Sequence, residues 1–214
     1  MGAAVPDSVS SSPFIIRDEA ALLALYGEVS QPALKKQVDY LHPLYQDFIR
    51  ASPFAVLASV GASTELTPRG DAPGFVAIED EKTLLLPDRR GNNRIDNLRN
   101  IVADPRVSLL FLIPGIGETL RVNGTAEISI EPALLDRFAI NGKPPASVLV
   151  IRVNAVFFQC AKALVRSGLW DPETQIARSS LPSNGTILAA LTGAKVGGAA
   201  YDAAAPARLL ATLY

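Results

Sequence analysis

The sequence has one cysteine and one histidine among its 214 residues. A disulfide or a thiolate metal cage needs further cysteines, so Cys160 excludes both within one chain and favours a reducing, cytoplasmic compartment. Cys160 follows the apolar run AVFFQ and is predicted to be a small buried hydrophobe. A Ser-His-Asp or zinc centre would depend on His42 alone. Its setting, LHPLY, favours a helix turn at the rim of the core instead.

Long apolar runs and a strong net charge are also missing. No uninterrupted apolar run approaches the ~20 residues of a membrane-spanning helix. Residues 1–12 lack the basic start and apolar stretch of a secretory signal and are predicted to be a mobile tail. The formal net charge is −1, whereas a general nucleic-acid surface needs a broad basic face. We therefore expect no membrane and no nucleic-acid partner, and any anion site must be local.

Positive charge is nevertheless concentrated in one place. Arginines outnumber lysines by 14 to 6, and five of the arginines lie between Arg89 and Arg106, in and beside the stretch PDRRGNNRIDNLRN. The planar guanidinium fork matches a phosphate or a carboxylate. The stretch is therefore our first candidate for an anion site.

Short apolar runs separated by turn residues dominate the middle of the chain, and helical periodicity flanks them. This pattern favours an antiparallel barrel or sandwich over a βαβ sheet, so the fold class is α+β, mainly β with flanking helices. PGIGETL is interpreted as a hairpin rather than a dinucleotide-binding loop, because it lacks the third glycine. The predicted strands are 54–60, 64–69, 74–79, 83–87, 106–113, 119–130 and 148–158.

Helices are predicted within residues 13–50, where Pro32 and Pro43 open new segments, in NNRIDNLRNIVADP and in EPALLDRFAI. In NNRIDNLRNIVADP, Ile95, Leu98 and Val102 form an apolar stripe. Residues 13–172 are expected to form one domain, with an Ala-rich helical arm, residues 173–214, packed on it.

The basic stretch joins a strand to the start of a helix. Asn92 or Asn93 is predicted to cap that helix, with Arg94 in its first turn. A cation at this end is locally unfavourable unless an anion is present, which is typical of a binding site. Arg69, followed by Gly70, ends a neighbouring strand and provides a second cation for a phosphate clamp. The alternative is a solvated charge cluster in which carboxylates neutralise the arginines: Asp88, Asp96 and Asp104.

Several motifs in sequence order resemble the pyridoxamine-phosphate-oxidase-like FMN-binding split-barrel proteins. They are SPFAVLAS, TPRGDAPGFV, LLLPDRRGNNRIDNLRNI, DPRVSLLFLIPG and ETLRVNGTAEI, and the later CAKALVRSGLW is similar to the branch of probable FMN-dependent enzymes of unknown substrate. The resemblance runs from about residue 30 to 172. It implies an antiparallel split β-barrel homodimer, with FMN at each subunit interface.

The resemblance also implies roles for individual residues. Arg69 matches the phosphate-binding arginine, and Asn93 and Arg94 match the polar and basic pair at the helix start. For Arg89 and Arg90 two positions stay open, the rim of the site, with Arg90 included among the cofactor-binding residues, or a solvated turn. The further residues implied are Leu85 and Leu86 for backbone contacts to the flavin ring, Thr119 and Arg121 on the strand that approaches it, and Arg166 and Trp170 closing the site. From the residues alone, Trp170 is equally a tail anchor and Arg121 equally a partner of Glu118 or Glu127.

The sequence departs from the vitamin B6 oxidases in two respects. No lysine follows Arg69 closely in RGDAPGF, and the region after Cys160 has no histidine. We therefore expect an FMN-dependent oxidoreductase for another small molecule, using that substrate or NAD(P)H, with no metal. Two alternatives stay open: a non-catalytic protein that binds a flavin or a related cofactor on the same scaffold, and a module that recognises phosphopeptides or nucleotides with the same arginines.

Overall fold

The computed structural model describes residues 12–214, so the predicted mobile tail lies outside the described residues except for Ser12. The chain divides into two compact units, Met1–Lys36 and Gln37–Tyr214. In the first unit, α1 spans Glu19–Tyr26 and α2 spans Gln31–Lys35. Asp18 caps α1 by accepting a hydrogen bond from the amide of Ala21, and Pro32 lies in the first turn of α2. The domain limits 13–172 and 173–214 stay a prediction.

The second unit is built on one seven-stranded sheet. Its strand order is β2-β1-β5-β6-β7-β4-β3, and all neighbours are antiparallel. This is the predicted antiparallel split barrel with flanking helices. The strands are β1 Phe54–Val60, β2 Thr64–Gly70, β3 Ala77–Asp80, β4 Thr83–Asp88, β5 Arg106–Leu112, β6 Thr119–Ser129 and β7 Ser147–Gln159.

Alternation along the strands separates an inner from an outer face. In β1 and β5, Leu57 and Leu109 are buried while their neighbours Val56 and Leu110 are half-buried on the other face. The inner faces of the strands, together with Leu41 and Ile49 from outside the sheet, form a continuous apolar core. Its largest members include Phe111, Leu41, Ile49, Leu57, Leu84, Leu86, Leu109, Leu120, Leu149 and Ile151.

Short helices surround the sheet. The ring of His42 caps α3, because its Nδ1 accepts a hydrogen bond from the amide of Leu44 at 3.2 Å. This confirms that His42 serves a helix turn. The helices are α3 Pro43–Ala51, α4 Asp96–Ala103, α5 Pro132–Arg137, α6 Lys162–Ser167, α7 Asn184–Thr192, α8 Ala199–Ala203 and α9 Ala205–Ala211, with 3-10 turns at Pro172–Thr174 and Arg178–Ser180.

Cys160 and the segment PGIGETL are both assigned a structure from the sequence. Cys160 is exposed, so its predicted burial is wrong; it follows directly after β7, where the apolar alternation has ended. PGIGETL does connect two antiparallel strands, β5 and β6, as predicted. Within residues 12–214, no helix is both long and apolar enough to cross a bilayer, and no three potential ligands from His, Cys, Asp and Glu group around a metal position. The cytoplasmic location stays a prediction.

Candidate cofactor site

A cleft of about 560 Å³ lies between β2, the loop after β4 and the start of α4. It is lined by four of the predicted site residues, Arg69, Arg90, Asn93 and Arg94. Arg69 comes from the end of β2, and the other three come from the loop that connects β4 to α4. The inferred proximity of two basic segments at one helix start is therefore confirmed.

Carboxylates neutralise much of the positive charge in this cleft. Arg69 forms an ion pair with Asp88, and Arg94 Nε lies 2.8 Å from Asp96 Oδ2. Asp96 raises the pKa of the Arg94 guanidinium through this hydrogen bond and its charge. Within residues 12–214, Arg90 is exposed to the cleft and no carboxylate lies within ion-pair distance of it.

The start of α4 differs from the prediction. The helix begins at Asp96 rather than at Asn93, and its N-cap is Ile95, which has φ 51° and provides no side-chain cap. Asn93 also has a positive φ, 59°. Arg94 therefore precedes the helix, and the predicted capping by Asn92 or Asn93 is wrong. Asn92 instead accepts a hydrogen bond from the amide of Arg94 at 3.1 Å. This bond stabilises a turn that precedes the helix.

This start leaves donors available to the cleft. Because no side chain among residues 12–214 caps α4, its first-turn amides have no side-chain partner in that part of the chain and form the positive end of the helix dipole. The first residues of α4, Asp96, Asn97 and Leu98, line the cleft. Arg69 also lines the cleft, and its buried Nε has no hydrogen-bond partner in the described part of the chain.

The buried face of α4 is also not the predicted one. Of the three residues of the predicted stripe, only Leu98 packs against the core, whereas Ile95 is 46% exposed and Val102 is 80% exposed, so the three do not form one buried stripe. Asn97, Asn100 and Ile101 are buried instead. The two asparagines replace apolar contacts with hydrogen bonds to the β1–β2 hairpin, which a search for hydrophobic periodicity misses. The bonds are Asn97 Nδ2 to Ser59 Oγ (2.7 Å) and to the Glu65 carbonyl (3.3 Å), Thr67 Oγ1 to Asn97 Oδ1, and Asn100 Nδ2 to the Ser63 carbonyl (3.0 Å).

A second group of predicted residues lies at another place in the fold. Arg121 is on the outer face of β6, where its guanidinium lies 4.3 Å from the ring centre of Phe157. Its Nε is buried without a hydrogen-bond partner among residues 12–214. The indole of Trp170 donates to the Ile116 carbonyl at 2.8 Å, so this residue anchors the segment after α6 to the β5–β6 loop. Arg166 is exposed on α6.

The two groups lie on different strands and on different faces of the sheet. The register places Arg121 beside Leu110 of β5, then Val56 of β1, then Pro68 of β2, which adjoins Arg69. Three strand spacings of ~4.8 Å separate the two arginine-bearing strands by roughly 14 Å. Arg121 also faces outward, whereas Arg69 shares the face of the buried Ala55.

The remaining predicted site residues lie in or at the ends of strands: Leu85, Leu86, Thr119 and Gly70. Leu85 and Leu86 are buried in β4, and β3 pairs with β4 only as far as Leu85, so from Leu86 onward β4 has a strand partner on the β7 side only. Thr119 is buried at the start of β6. Gly70 has little room for a side chain, because an added Cβ would lie 3.3 Å from the carbonyl oxygen of Pro53. Their roles toward a cofactor stay predictions.

Comparison with known sequences gives the family. The sequence model described as pyridoxamine 5'-phosphate oxidase matches residues 41–160, more than half of the chain. The chain belongs to this family. The matched region runs from just before α3 to the end of β7 and includes the whole seven-stranded sheet. No curated protein matches the chain.

Solved structures from several bacteria match part of this chain. A variant of HupZ from Group A Streptococcus is 23% identical and aligns over 56% of this chain and 99% of its own, with a TM-score of 0.45. A putative pyridoxamine 5'-phosphate oxidase from Lactobacillus delbrueckii is 17% identical, over 56% and 95% of the two chains, with a TM-score of 0.45. An FAD binding protein from Mycobacterium smegmatis is 11% identical, over 57% and 97%, with a TM-score of 0.41.

Proposed function

We propose that this family member is an FMN-dependent oxidoreductase for a small molecule, with FMN bound at a homodimer interface. The observation that carries the proposal is the cleft at the uncapped start of α4, where Arg69, Arg90 and Asn93 meet. The phosphate of FMN carries close to two negative charges near neutral pH, and helix-start amides and arginines are the donors that suit it.

The donors present fit this phosphate. Within residues 12–214, Arg69 Nε is a buried donor without a hydrogen-bond partner, and the guanidinium of Arg90 forms no ion pair with a carboxylate. Arg69 is already held by Asp88, so the guanidinium is oriented before a ligand arrives. Arg94 is mainly exposed and paired with Asp96, and we assign it to the rim.

The flavin, when bound, supplies the hydride or electron transfer. The side chains of this protein then bind the phosphate, orient the ring and exclude water. We assign the backbone of β4 at Leu85 and Leu86, and Thr119 and Arg121 of β6, to the surroundings of the ring. Trp170 stabilises the β5–β6 loop that leads to Thr119, because its indole holds the Ile116 carbonyl.

The outer face of the sheet supports the homodimer. Outward positions of β2, β1 and β5 carry half-buried or exposed apolar side chains, and contiguous apolar patches of this kind mark protein interfaces. A charged Leu110→Asp substitution is expected to convert a dimer to a monomer in size-exclusion chromatography with light scattering. A wild-type monomer in that measurement contradicts the proposal. The apolar residues are Phe54, Val56, Leu66, Pro68, Leu110 and Leu112.

The phosphate assignment is tested with purified protein and a visible absorption spectrum. We expect flavin absorbance, and release of FMN on Arg69→Ala or Arg90→Ala. Arg99→Ala is the matched control, because Arg99 belongs to the same basic stretch but is exposed on α4 outside the cleft. Colourless wild-type protein that takes up no added FMN would refute the proposal.

A mixing experiment tests whether two chains build each site. We expect Arg69→Ala and Arg121→Ala to lower flavin binding separately. If each flavin contacts Arg69 of one subunit and Arg121 of its partner, a heterodimer of the two variants regains one intact site. If the mixture regains no flavin binding after unfolding and refolding, each flavin would instead contact Arg69 and Arg121 of the same chain.

Catalysis is distinguished from simple cofactor carriage by reduction of the bound flavin. Anaerobic addition of NADH or NADPH is expected to bleach the yellow protein, and electron acceptors then restore its colour. Pyridoxamine 5'-phosphate is expected to be a poor donor, because the sequence lacks the lysine after Arg69 and the later histidine of the vitamin B6 oxidases. Persistent colour with both nicotinamide donors would favour the carrier function.

A further inference from the structure

Arg89 lines the cleft, but two of its guanidinium nitrogens already donate to other groups of the protein. Its Nε donates to Asp71 Oδ2 at 3.1 Å, and its Nη1 donates to the carbonyl of Phe138 at 2.5 Å. The side chain is only 19% exposed. Arg89 is therefore a structural cation in the lining of the cleft, whereas its sequence neighbour Arg90 has no ion-pair partner within residues 12–214.

The partner of Arg89 connects two loops to the Ala-rich arm. Asp71 lies in the loop after β2, and its side chain is 6% exposed. Its Oδ1 accepts hydrogen bonds from the amide of Ala72 and from the hydroxyl of Tyr214, each at 2.8 Å. A buried carboxylate of this kind needs several donors, so removing one is costly. Tyr214, in the arm, supplies one of them.

Tyr214 has two more contacts with the same region. The Arg89 guanidinium lies 5.9 Å from the centre of its ring, and Lys143 Nζ donates to its backbone oxygen at 3.1 Å. The arm is thus fastened next to the loop that carries Arg90 and Asn93. We call Tyr214, Asp71 and Arg89 the latch.

We propose that Tyr214 is a positioning residue for the cofactor cleft: through Asp71 and Arg89 it holds the loop from β4 to α4 in place. Asp71 follows Arg69 by two residues, and Arg89 directly precedes Arg90, so the latch joins the two segments that carry the cleft's phosphate donors. The effect on flavin rests on the proposed function, whereas the latch itself exists without a ligand.

The charges around the phenol agree with a donating hydroxyl. The hydrogen bond to Asp71 and the negative charge of that residue raise the pKa of Tyr214, while Arg89 lowers it by a smaller amount; Lys143 is the other cation in contact with this residue. Because these contacts stabilise the protonated phenol, the latch holds below the ordinary tyrosine pKa of ~10 and opens as the pH rises through the raised pKa of the folded protein.

Tyr214→Phe tests the latch, because it removes the hydroxyl and keeps the ring. We expect FMN release about tenfold faster in stopped-flow fluorescence, a size typical of one hydrogen bond to a charged group. We also expect faster amide exchange in residues 88–95 of the flavin-free protein, and a flatter rise of the release rate above about pH 10. Tyr201→Phe is the matched control, since Tyr201 also lies in the arm with an arginine, Arg208, 4.2 Å from its ring centre.

The outcomes separate the two proposals. Wild-type release and unchanged exchange in Tyr214→Phe would overturn the latch while leaving FMN binding intact. A wild-type protein that binds no FMN would overturn the proposed function, and the exchange measurement would still decide the latch. Equal effects of Tyr201→Phe and Tyr214→Phe would also overturn it, since the change would then reflect the arm in general.

Discussion

Replacing Asn97 by alanine tests whether hydrogen bonds, rather than an apolar stripe, fix α4 to the sheet. The side chain is 2% exposed and bonds to three groups of the β1–β2 hairpin, on Ser59, Glu65 and Thr67. Sequence periodicity alone assigns this role to Val102, which is 80% exposed. The two positions therefore give opposite expectations for the same substitution.

The magnitude follows from the partners left behind. Three lost hydrogen bonds contribute about 1 kcal/mol each, and the higher helix propensity of alanine offsets roughly 0.7 kcal/mol. Ser59 keeps Asn100 as a donor at 3.3 Å, which limits the loss further. We expect Asn97→Ala to lower the free energy of unfolding by about 2 kcal/mol. Val102→Ala should change it by less than about 0.5 kcal/mol, because little apolar surface is lost.

Urea unfolding of the flavin-free protein, followed by circular dichroism and by the fluorescence of Trp170, measures both variants. A drop of about 2 kcal/mol corresponds to a melting temperature lower by roughly 4–8 °C in a chain of this size. Asn97→Ala should also weaken FMN binding, because Asn97 holds the helix start that lines the cleft. A larger loss of stability for Val102→Ala than for Asn97→Ala would refute this account of α4.

Two further substitutions test features of the sheet and the arm. Gly124→Ala is expected to prevent stable folding, since the added Cβ would lie 2.2 Å from the backbone oxygen of Arg152 on β7; Gly91→Ala, which has open space, should melt like wild type. Asp202 has a lowered pKa because it accepts a hydrogen bond from Ser183, so its contribution to arm stability is present above about pH 4 and is lost on acidification through the folded value. Asp202→Asn should flatten that acid dependence in thermal melts followed by circular dichroism.

The strands could be predicted because their signals are local. Short apolar runs between turn residues mark the strands, as in FAVLASV, which ends at Val60 and is followed by Gly61. The largest shift is in β3, which begins at Ala77 rather than at residue 74. Gly74 has φ 82° and packs against the Arg50 backbone, so it belongs to a turn. The sequence shows the glycine but not the neighbour that makes it turn.

The cleft could be predicted only in part, because its details depend on tertiary contacts. The link between Arg69 and the loop after β4 followed from strand order and resemblance. The burial of Asn97 and Asn100 could not be predicted from the sequence. A buried asparagine needs hydrogen-bond partners, and the partner Ser59 is brought close only by the folded structure. The latch was equally invisible, because Tyr214 lies 143 residues from Asp71 in sequence.

The basic stretch is now divided by the tasks of its arginines. Arg89 stabilises the loop, Arg94 pairs with Asp96 at the rim, and Arg90 stays available. Ile95 lies between them and α4 in a left-handed conformation that costs a β-branched residue roughly 1–2 kcal/mol. Because the side chain of Ile95 has no hydrogen-bond acceptor, it cannot cap α4, and the first-turn amides stay open to the cleft. The same local feature that defeats the helix prediction therefore creates the donors that an anionic cofactor needs.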